Sequence, residues 1–163
     1  MTDLRTGIGF DVHRLIEGPD LMIGGVHIPY DLGPDAHADG DVLLHAAADA
    51  CLGAAGLGDL GEQFPDTDPE QAGRPGAEIV REVQTMLRSE GLNVHQLDST
   101  ILLESPSLAP HKDDIRSRLS ELFGIPTDRT GVKATTMEGL GPIGHKQAAA
   151  AWVNVLLTAE TDA

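Results

Sequence analysis

Asp11 and His13 stand two residues apart in GFDVHRL, residues 9–15, inside an otherwise apolar, strand-like stretch. Positions i and i+2 of a strand share a face, so a carboxylate and an imidazole are aimed the same way. A second group lies in PDAHADGDVLLHAAADA: His37 before a helix, His45 one turn inside it, and Asp41 and Asp49 four residues either side of His45 on its helical face. Asp11, His13 and His45 make three ligands with a fourth position open, the arrangement of catalytic zinc. Asp41 or Asp49 could orient His45 from behind. A third group is VKATTMEGLG, residues 132–141, where Lys133, Thr135 and Glu138 run along a strand into a glycine loop. An ammonium, hydroxyls and an acid at a strand end suit phosphate and a hard cation. Against these readings stand plainer ones: a hydrogen-bonded Asp–His pair, and a half-exposed strand using Thr for β-propensity.

Two patterns imitate other chemistry. DAHADGDVLLHA, from Asp35, has Gly40 at the sixth position of a calcium loop, but His37 at the third and Ala46 where a bidentate Glu is required. GLGPIG, Gly139 to Gly144, matches a dinucleotide turn, yet Pro142 interrupts it and 19 residues are too few for the second strand and its acid. It reads as a flexible loop whose backbone approaches something. Cys51 lies in an alanine-rich helical run and reads as a small buried apolar side chain.

These groups must be held by regular elements. Strands are expected over 5–15, over 20–29 as a pair turning at Gly24-Gly25, over 94–103 and over 131–137. Helices are expected over 40–55, over 76–89 with Ile79, Val83, Met86 and Leu87 on one stripe, and from Pro110 through Leu122. Loops are expected over Tyr30–Asp39 and Gly56–Pro75. The apolar end, from Ala148, fits strand or helix by pattern alone. This order favours one α/β (α+β) domain over 1–163, a mixed β-sheet with helices packed on one face.

The 163 residues suit a single core. A net charge of −15 argues against a nucleic-acid partner. No tract is apolar enough for a membrane partner, and MTDLRTG lacks a signal-peptide core, so a cytoplasmic protein is expected. An anionic ligand would need local positive charge, from metals, the helix start after Ala38 and Lys133.

Five stretches carry a resemblance: GFDVHRL, IGGVHIPYDLG, AHADGDVLLHAAADACLGAAGLGDLGEQFPDTDP, LESPSLAPH and VKATTMEGLG. Together, in this order from about Gly7 to Gly144, the chain resembles the 2-C-methyl-D-erythritol 2,4-cyclodiphosphate synthase family. The resemblance implies a homotrimer with active sites between subunits and a lyase of non-mevalonate isoprenoid synthesis. Such an enzyme turns 4-diphosphocytidyl-2-C-methyl-D-erythritol 2-phosphate into the 2,4-cyclodiphosphate and CMP. It implies Zn2+ held by Asp11, His13 and His45, and Mg2+ or Mn2+ held by Glu138 across the substrate diphosphate. It further implies that His37 and Thr136 steady the transition state, and that Asp59, Leu60 and Gly61 bind ribose. Phe64, Pro65, Asp66, Thr67 and Asp68 would cover the methylerythritol part. Leu103, Glu104, Ser105, Pro106, Ser107, Leu108, Ala109 and Thr135 would wall the cytosine. Val12, Ala38, Met137, Pro142 and His145 complete the implied substrate contacts. The last segment becomes a strand. Ala38 stands where the family usually has Ser, Ser107 where lysine is common, and Pro142 and His145 where an aromatic and an arginine are usual; His145 or Lys146 could replace the arginine. Two rivals are a metal-dependent phosphohydrolase and a non-catalytic nucleotide-binding trimer.

Overall fold

Gly7 and Gly9 are where the architecture begins, because side chains there would strike a helix. A Cβ on Gly7 would run into the Ala50 carbonyl, and one on Gly9 into the Ala46 carbonyl. Bare backbone at these two positions lets the first strand, β1 (Leu4–Glu17), lie directly against the first helix. The computed structural model describes residues 3–36, 38–65, 67 and 73–159.

After β1 the chain makes a small hairpin, β2 (Leu21–Ile23) and β3 (Val26–Ile28), through Gly24 and Gly25 at positive φ. A short strand, β4 (Leu32–Pro34), then pairs antiparallel with the end of β1, Leu15 opposite Pro34. It lies inside the segment expected as loop; three residues are too few to show a period-2 pattern. Helix α1 (Val42–Ala55) follows, capped by Asp41 and stopped by Gly56 in the left-handed conformation. Within the second expected loop, Asp59 caps a four-residue helix, α2 (Leu60–Gln63).

The remaining elements are α3 (Gly76–Ser89), β5 (Leu92–Leu102), α4 (Lys112–Phe123), β6 (Thr130–Thr135), α5 (Gly141–Gly144) and β7 (Ala148–Ala159). The GLGPIG stretch is therefore a helical turn, closed by Gly144 N–H on the Leu140 carbonyl at 3.1 Å. The apolar end is a strand, as the resemblance implies. Its sequence reads ambiguously because its first four residues, alanines, are all buried.

The main sheet has the order β4-β1-β7-β5-β6, with β5 and β6 parallel and the other pairs antiparallel. Helix α1 covers β1 and β7 and is itself covered by α3, so ten of its residues are buried. Alanines 46, 50 and 54 allow close approach to the sheet, while Leu43, Leu44 and Leu52 fill the core. Each such leucine contributes roughly 2 kcal/mol of burial. The expected mixed sheet with helices on one face is borne out. Among the described residues its other face is bare: Ile8, Phe10, Val12 and Trp152 are each about half exposed, with Phe10 and Trp152 in edge contact at 5.4 Å.

Candidate active site

Three donor atoms converge where β1 meets α1. Asp11 Oδ2 lies 3.2 Å from His13 Nε2 and 3.2 Å from His45 Nδ1, and the two nitrogens are 3.4 Å apart. Asp11 and His13 share the helix-facing side of β1, the side of Gly7 and Gly9, and His45 projects back from the first turn of α1. Ligands about 2.0–2.1 Å from a tetrahedral ion stand about 3.3–3.4 Å from each other. The observed triangle has that size, so the residues fit a divalent metal.

Electrostatics agree with a cation site. Burial alone would raise the Asp11 carboxyl, but hydrogen bonds and charge from His13 and His45 hold it well below the usual carboxylate range. Burial would lower the His45 imidazole, yet the bond to Asp11 and the charges of Asp11, Asp41 and Asp39 raise it.

Neither carboxylate expected to orient His45 bonds its ring; Asp41 meets it only through its backbone carbonyl, which accepts the His45 N–H at 3.0 Å. Asp41 is fully buried and accepts N–H bonds from Gly24 (2.9 Å), Gly25 (2.6 Å), Leu43 and Leu44 (3.1 Å each). It pins the hairpin to the start of α1. Burial pushes its carboxyl up against the pull of these donors. Asp49 accepts the Leu60 N–H at 3.1 Å instead. Helical spacing shows which residues share a face but not which neighbouring donor lies nearer.

Two expected sources of positive charge are also reassigned. Lys133 is bound to Asp98 at 2.6 Å. Ala38 lies four residues before α1, whose Leu43 and Leu44 N–H groups are already taken by Asp41.

Across the sheet, a cavity of about 250 Å³ is lined by Leu103, Glu104, Pro106–Ala109, Lys112 and Ala134–Thr136. This brings the expected wall together, apart from Ser105, which adjoins it. Leu103 N–H bonds the Thr135 carbonyl at 3.1 Å, and Glu104 accepts the Met137 N–H at 3.0 Å, tying the loop to the end of β6. Thr136 Oγ1 donates to Glu138 at 3.2 Å, and Glu138 sits at φ 51°. Lys112, the first residue of α4, lines this cavity and was missed. The signal was its place at the helix start just beyond the loop.

Asp59, Leu60 and Gly61 form the start of α2. Phe64 is buried under the Arg74 guanidinium at 5.6 Å, Pro65 is partly buried and Thr67 exposed. Val12 faces away from α1, and Pro142 and His145 are exposed at α5. His37, Asp66 and Asp68 lie outside the described residues.

The metal triangle and the cavity are separate within one chain. Asp11 pairs with Ala151, Ala151 with Ile101, and Ile101 with Ala134. Three strand steps put about 14 Å between β1 and β6.

No helix among the described residues is long and apolar enough to cross a membrane. In comparisons with known proteins, 2-C-methyl-D-erythritol 2,4-cyclodiphosphate synthase of Alkaliphilus oremlandii is 47% identical over 148 residues, 91% of this chain and 94% of that protein. That of Acaryochloris marina is 41% identical over 99% of this chain and 100% of its own. A solved 2C-methyl-D-erythritol-2,4-cyclodiphosphate synthase in a CDP-bound form superposes with TM-score 0.88 at 40% identity, covering 94% of this chain and 99% of that one. The bifunctional IspDF of Campylobacter jejuni superposes with TM-score 0.93 at 38% identity, covering 98% of this chain but 43% of that longer one. A model of the YgbB family matches residues 4–158, and on that near-complete match the chain belongs to the YgbB family.

Proposed function

We propose that this chain, as one domain over 1–163, is a lyase. It converts 4-diphosphocytidyl-2-C-methyl-D-erythritol 2-phosphate to 2-C-methyl-D-erythritol 2,4-cyclodiphosphate and CMP, a step of non-mevalonate isoprenoid synthesis. The observation that carries this is the Asp11–His13–His45 triangle, sized for a tetrahedral ion and placed in a chain 47% identical to a protein of that name. An oxygen of the 2-phosphate attacks the β-phosphorus, the bond from that phosphorus to the bridging oxygen breaks, and CMP leaves with the electron pair. No general base is required, since the attacking phosphate is ionised near neutral pH.

Zn2+ is the ion that Asp11, His13 and His45 suit, with Mg2+ or Mn2+ at Glu138. When bound, the ions neutralise repulsion between the phosphates and polarise the attacked one. The chain's own residues bend the substrate so that its ends meet. The apolar part of the cavity, Leu103, Pro106 and Leu108, takes the cytosine, and the backbone of Ser105–Ala109 reads its edge. Asp59 and Gly61 take the ribose hydroxyls. Phe64–Asp68 closes over the methylerythritol, with Thr136 and His37 positioning the reacting phosphates.

A single chain leaves these halves about 14 Å apart. The bare apolar sheet face around Phe10 and Trp152 invites identical copies, and a homotrimer would set one copy's metal triangle against the next copy's cavity. The test is turnover in 18O-labelled water. The cyclic product should form without label. Labelled linear phosphate would instead make the chain a hydrolase that uses metal-bound water. Nucleotide binding without any product would make it a binding protein.

A further inference from the structure

Asp49 sits one turn beyond His45 on α1, half-buried, with its Oδ1 on the Leu60 N–H at 3.1 Å. Leu60 opens α2, and its N–H is one of the donors a helix start leaves unpaired. A second such donor, on Glu62, goes to Asp59 Oδ1 at 2.9 Å. Asp59 Oδ2 is thereby left without a partner among the described residues and available to a ligand. The link between the two helices is held at one end by Leu57 N–H on the Leu52 carbonyl (3.0 Å) and at the other by Gln63 Nε2 on the Leu57 carbonyl (2.7 Å), which leaves the first turn of α2 to be fixed by Asp49. Among the described residues, Asp49 to Leu60 is the one side-chain hydrogen bond that ties α2 to α1.

We propose that Asp49 is a positioning residue for the nucleotide's ribose. It holds the Asp59–Gly61 turn at a set place on the helix that carries His45, so the sugar and the metal triangle are referred to one rigid element. This rests on the reading that Asp59 and Gly61 meet the ribose hydroxyls. A charged acceptor makes the stronger tether, about twice a neutral one. Losing it loosens the first turn of α2 and takes no side-chain hydrogen bond from Asp11, His13 or His45, whose side chains bond one another and not the Asp49 carboxylate.

The experiment is calorimetric titration of the zinc-loaded, full-length enzyme with CMP and with 2′,3′-dideoxy-CMP. The wild type should prefer CMP by about tenfold, the value of two modest hydrogen bonds. Asp49→Asn should reduce the preference to about threefold, since its amide oxygen is a weaker acceptor. Asp49→Ala and Asp49→Leu should bring it near unity, with dideoxy-CMP affinity and zinc content unchanged. A merely structural role would weaken both nucleotides together. An undiminished preference in any folded variant overturns the proposal, as does parallel loss of zinc, which would return Asp49 to His45. No preference in the wild type overturns instead the ribose reading of Asp59 and Gly61.

Discussion

The triangle of Asp11, His13 and His45 and the cavity beside β6 lie on one sheet, yet one is finished and the other is half-built. The triangle is closed by two packed elements whose spacing is set by Gly7, Gly9 and the alanines of α1. Its side chains are only 16–26% exposed and already bonded to one another. The cavity is open, and Thr135, Thr136 and Glu138 are exposed at a strand end. Metal ligands need sub-ångström placement, which one strand and one helix supply. A long bent substrate needs walls on several sides, which the edge of one sheet lacks.

The largest blow to the finished region is His13→Ala. Two remaining ligands hold zinc poorly, and loss of several kcal/mol of charge stabilisation should cut turnover roughly a thousandfold. Full zinc content by atomic absorption would show that the triangle is not the metal site. Gly9→Ala attacks the spacing rather than a ligand. Its Cβ would run into the Ala46 carbonyl and lie 2.7 Å from the Ala50 nitrogen. Destabilisation of about 3 kcal/mol in urea unfolding is expected, with weakened zinc binding. An unperturbed variant would mean that the strand and helix can separate cheaply.

Trp152→Asp tests the half-built region. Trp152 is 47% exposed, so the single chain should fold and keep its metal. The assembled mass by light scattering should fall to one chain, and turnover by about a hundredfold. An unchanged mass would remove the bare sheet face as the interface.

Smaller effects refine the contrast. Burial pushes the Cys51 thiol from 9.0 up to about 12. The native chain keeps its proton through that window while the unfolded chain loses it, so this group's stabilisation is complete below pH 9 and falls as pH rises towards 12. At pH 10.5 the wild type should have lost about 2 kcal/mol relative to Cys51→Ala, compared with pH 8. Equal losses would mean that water reaches the inner face of α1. Glu138→Gln should spare zinc and weaken the magnesium dependence of the rate by about tenfold. Rates that respond to magnesium as before would detach Glu138 from the second ion.

Much of the finished region was legible in residue order. Asp11 and His13 share a face because a strand has period 2, and the apolar stripe of α3 predicts a helix over 76–89, as observed for Gly76–Ser89. Polar partners were misread wherever the choice depended on what lay opposite. Helical spacing offers Asp41 or Asp49 to His45, but backbone N–H groups from the hairpin and α2 occupy their carboxylates. Lys133, expected to supply positive charge to an anionic ligand, is instead paired with Asp98 on the parallel neighbour.

Local periodicity, chain order and the family resemblance therefore determined the long elements and the three residues that could hold a divalent metal, but not the short β4, α2 and α5. Only the tertiary structure decided the size of the donor triangle, the true partners of Asp41, Asp49 and Lys133, and the division of the site across the sheet. The reason is physical. Periodicity is a property of neighbouring dihedrals, whereas a distance between atoms 34 residues apart, as for Asp11 and His45, is set by how closely two surfaces pack.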